Sequence, residues 1–252
     1  MSSPSAIAII PARLASTRFP GKMLADRTGM PLIQHVVEQA KRAKTIREVL
    51  VAADDERILE AVRRYGTKGV MTRADHPNGT SRLAEAAAGM AGGGGMDIIV
   101  NVQGDEPEIE PALIDEAVRA FAESGCGVGT LATAFAEGES AADPNVVKVV
   151  LDGRSRALYF SRSWVPFDRD GAGLLRPLKH VGLYIFRREF LLKYPTLPMT
   201  DLERTEQLEQ LRILYHGHPM HVLVTERATA GGIDTPAQYE AFAKRWEARG
   251  AT

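Results

Sequence analysis

The sequence predicts an α/β fold, a Rossmann-like mixed but mainly parallel sheet flanked by helices, with a small antiparallel insertion. Three observations predict it. Short apolar runs of strand length alternate with helical segments through the first half of the chain, a pattern that argues for a parallel sheet covered on both faces. After about Val128 the pattern changes to apolar runs around Asp152-Gly153, a hairpin-type turn. At 252 residues the chain can bury roughly 70–75% of its unfolded surface, so it needs no disulfide or metal to hold a core.

The elements follow in order. Residues 6–10 (AIAII) open the chain as a buried strand. Residues 11–22 form a loop holding Arg13, Arg18 and Lys22. Pro31 starts a helix whose apolar face is Leu32, Val36, Val37 and Ala40. Residues 49–53 read as a second strand, about 55–65 as a helix and 69–71 as a short third strand. A helix over about 80–90 ends at the glycine run 92–95. Residues 97–102 are the next buried strand, and Pro111 starts another helix. Further on, 146–151 and 157–161 flank the hairpin turn and 181–186 is a strand. Residues 202–215 read as one helix, 220–224 as a strand and 236–248 as a closing helix. The chain reads as a single domain, 1–252, with the insertion at roughly 128–188.

Composition narrows the function. Lys+Arg 31 against Asp+Glu 32 gives a net charge of −1, which argues against broad nucleic-acid binding. No apolar run approaches the roughly 20 residues needed to cross a bilayer, so no membrane partner is expected. The single Cys126 rules out an intramolecular disulfide, and with no signal-like N-terminus the expected compartment is the cytoplasm.

Three segments carry chemistry. The first, Pro11-Ala12-Arg13 continuing through Ser16-Thr17-Arg18-Phe19-Pro20-Gly21-Lys22, follows the first strand, where open α/β sheets bind ligands. Its three cations can converge on phosphates, with backbone N–H groups adding donors. It is neither a G-x-G-x-x-G fingerprint nor a Walker loop, because Gly21-Lys22 is followed by Met23 and the earlier glycine is missing. The second segment, Gln103-Gly104-Asp105-Glu106-Pro107, sets an acidic pair at the end of a buried strand, which suits Mg2+. The third, Gly232-Ile233-Asp234-Thr235-Pro236, is an ordinary helix start taken alone; Asp234 gains meaning only as a second metal carboxylate.

Together these segments resemble the sugar nucleotidyltransferases, and more closely the 3-deoxy-manno-octulosonate (KDO) cytidylyltransferases. The likeness extends to Met71-Thr72-Arg73-Ala74-Asp75-His76 with Gly79-Thr80-x-Arg82, and to Asn145-x-Val147-Lys148. Tyr159-Phe160-Ser161-Arg162, His180-x-Gly182-x-Tyr184 and Leu202-Glu203 through Arg212 complete it. Two departures stand out: Asn78 replaces the small hydroxyl residue common before Gly79-Thr80, and the loop 167–177 is short and Gly-rich.

The resemblance implies a nucleotide-diphospho-sugar transferase fold and a set of roles. Arg13, Lys22, Asp105 and Asp234 would be catalytic, and Asp105 and Asp234 would hold Mg2+. Pro11, Ala12, Arg13, Ser16, Lys22, Arg73, Gly79, Arg82 and Asp105 would bind CTP. Arg18, Gln103, Arg162, His180, Tyr184, Glu209 and Gln210 would line the sugar pocket. Helical spacing puts Glu203, Glu206 and Gln210 on one face, with Glu209 at its edge. An acidic sugar wants a cation for its carboxylate and donors and acceptors for its hydroxyls, which this set supplies. The implied activity is transfer of CMP from CTP to KDO, releasing pyrophosphate, in lipopolysaccharide synthesis by a homodimer joined through the insertion. The alternatives are an enzyme for a related acidic sugar, amino-KDO or sialic acid, and a non-catalytic nucleotide-binding module.

Overall fold

A computed structural model describes residues 4–90, 97–227 and 231–250. The sheet is laid down by β1 (Ala6–Ala12), β2 (Ile46–Ala53), β3 (Lys68–Met71), β4 (Ile98–Asn101), β5 (Val128–Ala134), β8 (Leu178–Arg187) and β9 (Met220–Thr225). Their spatial order is β3-β2-β1-β4-β8-β5-β9. β1 pairs in parallel with β2 and β4, β2 with β3, and β5 with β9; β8 runs antiparallel to both β4 and β5. The sheet is thus mixed and mainly parallel, as the alternation of strands and helices predicts. Its buried strands are apolar on both faces because helices cover both. On one face α1 (Leu32–Arg42), α2 (Glu56–Arg63) and α4 (Pro111–Glu123) pack Ile33, Val37, Leu59, Leu113 and Phe121 against Ile10 and Val100. On the other, α3 (Gly79–Ala88), α5 (Arg188–Lys193) and α7 (Gln210–Tyr215) pack Leu83, Leu191 and Leu211 against Ile9, Ile99 and Phe186.

The structure corrects the sequence reading in two places. Residues 128–134 and 178–187 are strands of the central sheet, so only the segment between them is inserted. That segment carries the antiparallel hairpin β6 (Lys148–Leu151) and β7 (Ala157–Ser161), which meets the sheet through β8. Residues 202–215 are not one helix. α6 (Asp201–Glu206) ends at Gln207, whose left-handed φ of 52° cannot continue a helix, and α7 begins at Gln210. Glu203, Glu206 and Gln210 therefore share no helix face. The glycine run 92–95 lies outside the described residues.

Two details aim the site. Gly21, with φ +70°, lets the chain enter the 3-10 turn Lys22–Leu24, which turns Lys22 inward. Gly104 follows β4 so closely packed on β1 that a Cβ there would stand 2.7 Å from the Pro11 carbonyl oxygen. α8 (Pro236–Gly250) closes the molecule by seating Tyr239 and Phe242 against Leu32 and Ile233. This docking carries the preceding loop, and Asp234, to the carboxyl end of the sheet.

Candidate active site

The carboxyl ends of β1 and β4 open on a cleft of about 360 Å³. Pro11, Arg13, Ser16, Arg18, Lys22, Gly79, Gln103, Asp105 and Asp234 line it. Nine of the residues expected from the sequence thus meet in one place, though they span more than 200 positions of chain.

At its centre the Lys22 ammonium donates to three oxygens: Asp105 Oδ2 at 2.6 Å, Ile233 O at 3.0 Å and Asp234 Oδ1 at 3.1 Å. The Lys22 side chain is only 9% exposed, so these contacts are poorly screened by water. Arg18 Nη2 reaches Asp234 Oδ2 at 3.0 Å from the cleft mouth. Two carboxylates far apart in sequence therefore converge on one cation. The donor set is all oxygen, which fits a hard ion such as Mg2+. Among the described residues no three His, Cys, Asp or Glu side chains cluster around a point. A metal here would take two protein carboxylates and complete its shell with substrate oxygens and water, the usual habit of Mg2+.

Arg13 crosses the cleft edge to donate from Nη2 to the His76 carbonyl at 3.0 Å, tying the β1 loop to the segment before α3. Asn78 caps α3 by accepting from Ser81 N at 2.9 Å, and its Nδ2 donates to the Tyr194 hydroxyl at 2.9 Å. Asn78 thus serves in place of the hydroxyl residue expected from the resemblance: an amide caps equally well and adds a donor.

Other expected residues sit elsewhere. Ala12 turns its side chain into the core, leaving only its backbone for a ligand. Arg82, placed by resemblance on CTP, is fully buried; Nη1 donates to Thr72 Oγ1 at 2.6 Å and Nη2 to Asp54 Oδ2 at 3.1 Å. Its guanidinium is walled in and forms no part of the cleft lining. Arg73 is 70% exposed, pairs with Asp75 and Glu85, and lines a separate cavity. Arg162 spends its guanidinium on the carbonyls of Glu206, Pro144 and Gln207, and so cannot offer a free fork to a carboxylate.

The remaining sugar-side residues form a group next to the cleft. Gln103 Nε2 donates to the Gly182 carbonyl at 3.3 Å, joining the cleft floor to β8. His180 bonds Thr130 Oγ1 at 2.8 Å and packs its ring edgewise on Phe160 and Tyr184; burial pushes its pKa down to about 4, so the imidazole is neutral. Glu209 Oε1 accepts from Thr80 Oγ1 at 3.1 Å, one residue beyond cleft-lining Gly79. Burial raises the Glu209 pKa, and its Oε2 is buried with no hydrogen-bond partner. Gln210 is buried at the first turn of α7.

Sequence reasoning missed two residues. Asp54, at the end of β2, accepts from Leu14 N at 3.0 Å as well as from Arg82, and so fixes the cationic loop. The signal available was an acid at the carboxyl end of a parallel strand, obscured by its neighbour Asp55, which caps α2. Asn101, at the end of β4 opposite Tyr184, is fully buried with both amide atoms unpaired. Unpaired buried amides are uncommon and collect at functional sites. Glu106 is driven up to about pKa 8 by burial and then by the neighbouring Asp105 charge.

Comparison with known proteins gives the family. The cytidylyltransferase family model matches residues 7–224. A 3-deoxy-manno-octulosonate cytidylyltransferase of Geobacter sulfurreducens is 50% identical over 244 residues, 92% of this chain and 96% of that one. One of Trichlorobacter lovleyi is 48% identical over 241 residues, 91% of this chain and 94% of that one. Among solved structures, a CMP:2-keto-3-deoxy-manno-octonic acid synthetase complexed with CTP superposes with a TM-score of 0.90 at 42% identity, covering 97% of this chain and 99% of that one. A 4-diphosphocytidyl-2C-methyl-D-erythritol synthase from Anaerococcus prevotii, 13% identical over 96% of both chains with a TM-score of 0.60, shares the fold. With the family model spanning most of its length and a shared sheet whose cationic lip faces two carboxylates, the chain belongs to the cytidylyltransferase family.

Proposed function

We propose that the chain transfers CMP from CTP to 3-deoxy-manno-octulosonate, giving CMP-KDO and pyrophosphate. The observation that carries this reading is Lys22 set between Asp105 and Asp234, beside Arg13, Ser16 and Arg18 on the open cleft. Relatives and a CTP-bound structure sharing this fold at 42–50% identity support the substrates.

The chemistry is in-line attack of a sugar hydroxyl on the α-phosphorus, and the protein contributes chiefly position and charge. Arg13 and the backbone of the β1 loop receive the triphosphate, where the guanidinium can grip two phosphate oxygens. Lys22 stands deepest in the cleft and offsets charge gathering on the α-phosphate. Asp105 and Asp234 would hold Mg2+, and the ion would supply charge that eases ionisation of the attacking hydroxyl and polarises the phosphate. On the sugar side, Gln103, Tyr184, Glu209 and Gln210 supply donors and acceptors. The unpaired amide of Asn101 and Oε2 of Glu209 favour a hydroxyl-rich ligand, because each gains a partner when one arrives. Arg162 acts by bracing the loops at 144 and 206–207 around that pocket.

The reading includes a cytoplasmic homodimer. The insertion exposes Leu158, Trp164, Phe167, Leu174 and Leu175, an apolar set of the kind that subunit contacts cover. Among the described residues no helix is long and apolar enough to cross a membrane.

The test is pyrophosphate release from CTP. Release with KDO and Mg2+, little with sialic acid, and none after chelation are expected. Asp105→Asn should lower turnover about 10³-fold or more, the loss expected when a transition-state charge partner goes. Product formation by that variant at the normal rate, or preference for sialic acid, would overturn the assignment.

A further inference from the structure

The three hydrogens of the Lys22 ammonium are all committed, to Asp105 Oδ2, Asp234 Oδ1 and the Ile233 carbonyl. An ammonium so held has no hydrogen left for a phosphate. Nor can a divalent ion enter between the same two carboxylates while a positive charge stands within 2.6 to 3.1 Å of them. Gripping phosphate and bridging the aspartates are mutually exclusive positions of one side chain.

We propose that Lys22 is a cationic placeholder that makes metal and nucleotide bind as a unit. In one position it neutralises Asp105 and Asp234 and holds the Asp234 loop against the β4 loop. The triphosphate draws the ammonium off, and the vacated carboxylates then take the divalent ion that the phosphates bring. The placeholder fits three features at once. Gly21 makes a sharp turn that fixes only the root of Lys22, and four methylenes leave its tip free to swing. The Ile233 carbonyl adds a third oxygen suited equally to an ammonium or a hard metal. Arg18, 67% exposed on the outer oxygen of Asp234, can follow the phosphate at little cost. The two ligands then help each other reciprocally, as linkage requires.

This inference rests on the assignment of Asp105 and Asp234 to the metal, and the test separates the two. Mn2+ binding is measured by loss of the free-ion electron paramagnetic resonance signal, in full-length protein, with and without CTP and without sugar. The wild type should bind Mn2+ alone weakly, and Lys22→Met should bind it on the order of tenfold or more tighter. Equal Mn2+ affinity of the two proteins without CTP would overturn the placeholder. Adding Asp105→Asn to Lys22→Met should abolish the gain; a gain that survives would sink the metal assignment instead. A second measurement needs no variant: millimolar Mn2+ alone should leave the thermal midpoint of the wild type unchanged, and Mn2+ with CTP should raise it beyond CTP alone. A clear rise with Mn2+ alone would refute the inference even if Lys22→Met failed to fold.

Discussion

Arg82 and Arg13 illustrate how far a residue's chemical type foretells its work. Both are arginines in stretches that resemble nucleotide-binding segments, yet one faces the cleft and the other is fully buried against Asp54 and Thr72. Arg82→Met should destabilise the fold by about 3–5 kcal/mol, the cost of stranding a buried carboxylate, and urea unfolding will measure it. The KM for CTP of the folded variant should rise less than that of Arg13→Ala; the reverse order would restore Arg82 to the nucleotide. That Arg13, Lys22, Asp105 and Asp234 line one cleft was legible because loops at the carboxyl ends of parallel strands gather there whatever the rest of the chain does. The fate of Arg82 was not, because it depends on Asp54, a partner 28 residues back that only the folded sheet sets beside it. The partners of Arg162 were hidden for the same reason: the carbonyls that take its guanidinium belong to loops at 144 and 206–207.

At the scale of elements, the close pass of the Gly104 backbone over the β1 carbonyl is the tightest constraint on the site. Gly104→Ala would force its Cβ to 2.7 Å from Pro11 O, an atom with no freedom to yield. Separation of the β1 and β4 loops by even part of an ångström should lower kcat about 10²-fold, with a smaller change in stability, as steady-state kinetics and thermal melts will show. Gln207 poses the opposite case. Its left-handed backbone costs a non-glycine residue about 1 kcal/mol, so Gln207→Gly should hold or raise the midpoint of unfolding. A marked drop would mean that the bond from Gln207 Nε2 to Arg204 O outweighs the strain. The first four strands and first four helices could be read from the sequence because apolar runs and helical stripes alternate cleanly there. β5 (VGTLATA) could not: its glycine, threonines and alanines pack under Phe121 and His180 but carry no period of their own. The break at Gln207 was hidden because no glycine or proline marks it.

For the whole molecule, stability against acid should follow its buried imidazoles. His35 is wedged between α1 and α8, edge-on to Phe242 and Trp246 and bonded to Thr28 Oγ1; burial pushes its pKa down to about 4. The unfolded imidazole titrates near 6.5, so between these values the unfolded chain binds the proton better. The stabilisation is complete above about pH 6.5 and is lost as pH falls toward 4, a loss on the order of 3 kcal/mol. His35 should therefore pull the thermal midpoint down across that window, against the opposite pull of buried Glu106 and Glu209, and the midpoint of His35→Phe should fall less toward acid than that of the wild type does. An unchanged slope in the variant would show that α8 does not depend on a neutral His35.

The seating of α8 also bears on the order of events during synthesis. A ribosome making this chain delivers the triphosphate lip with the first strand and Asp105 near the middle. It adds Asp234 only after every strand of the sheet has been translated. On the proposed roles, a nascent polypeptide has its cationic lip and Asp105 early but lacks the second carboxylate until the closing helix docks.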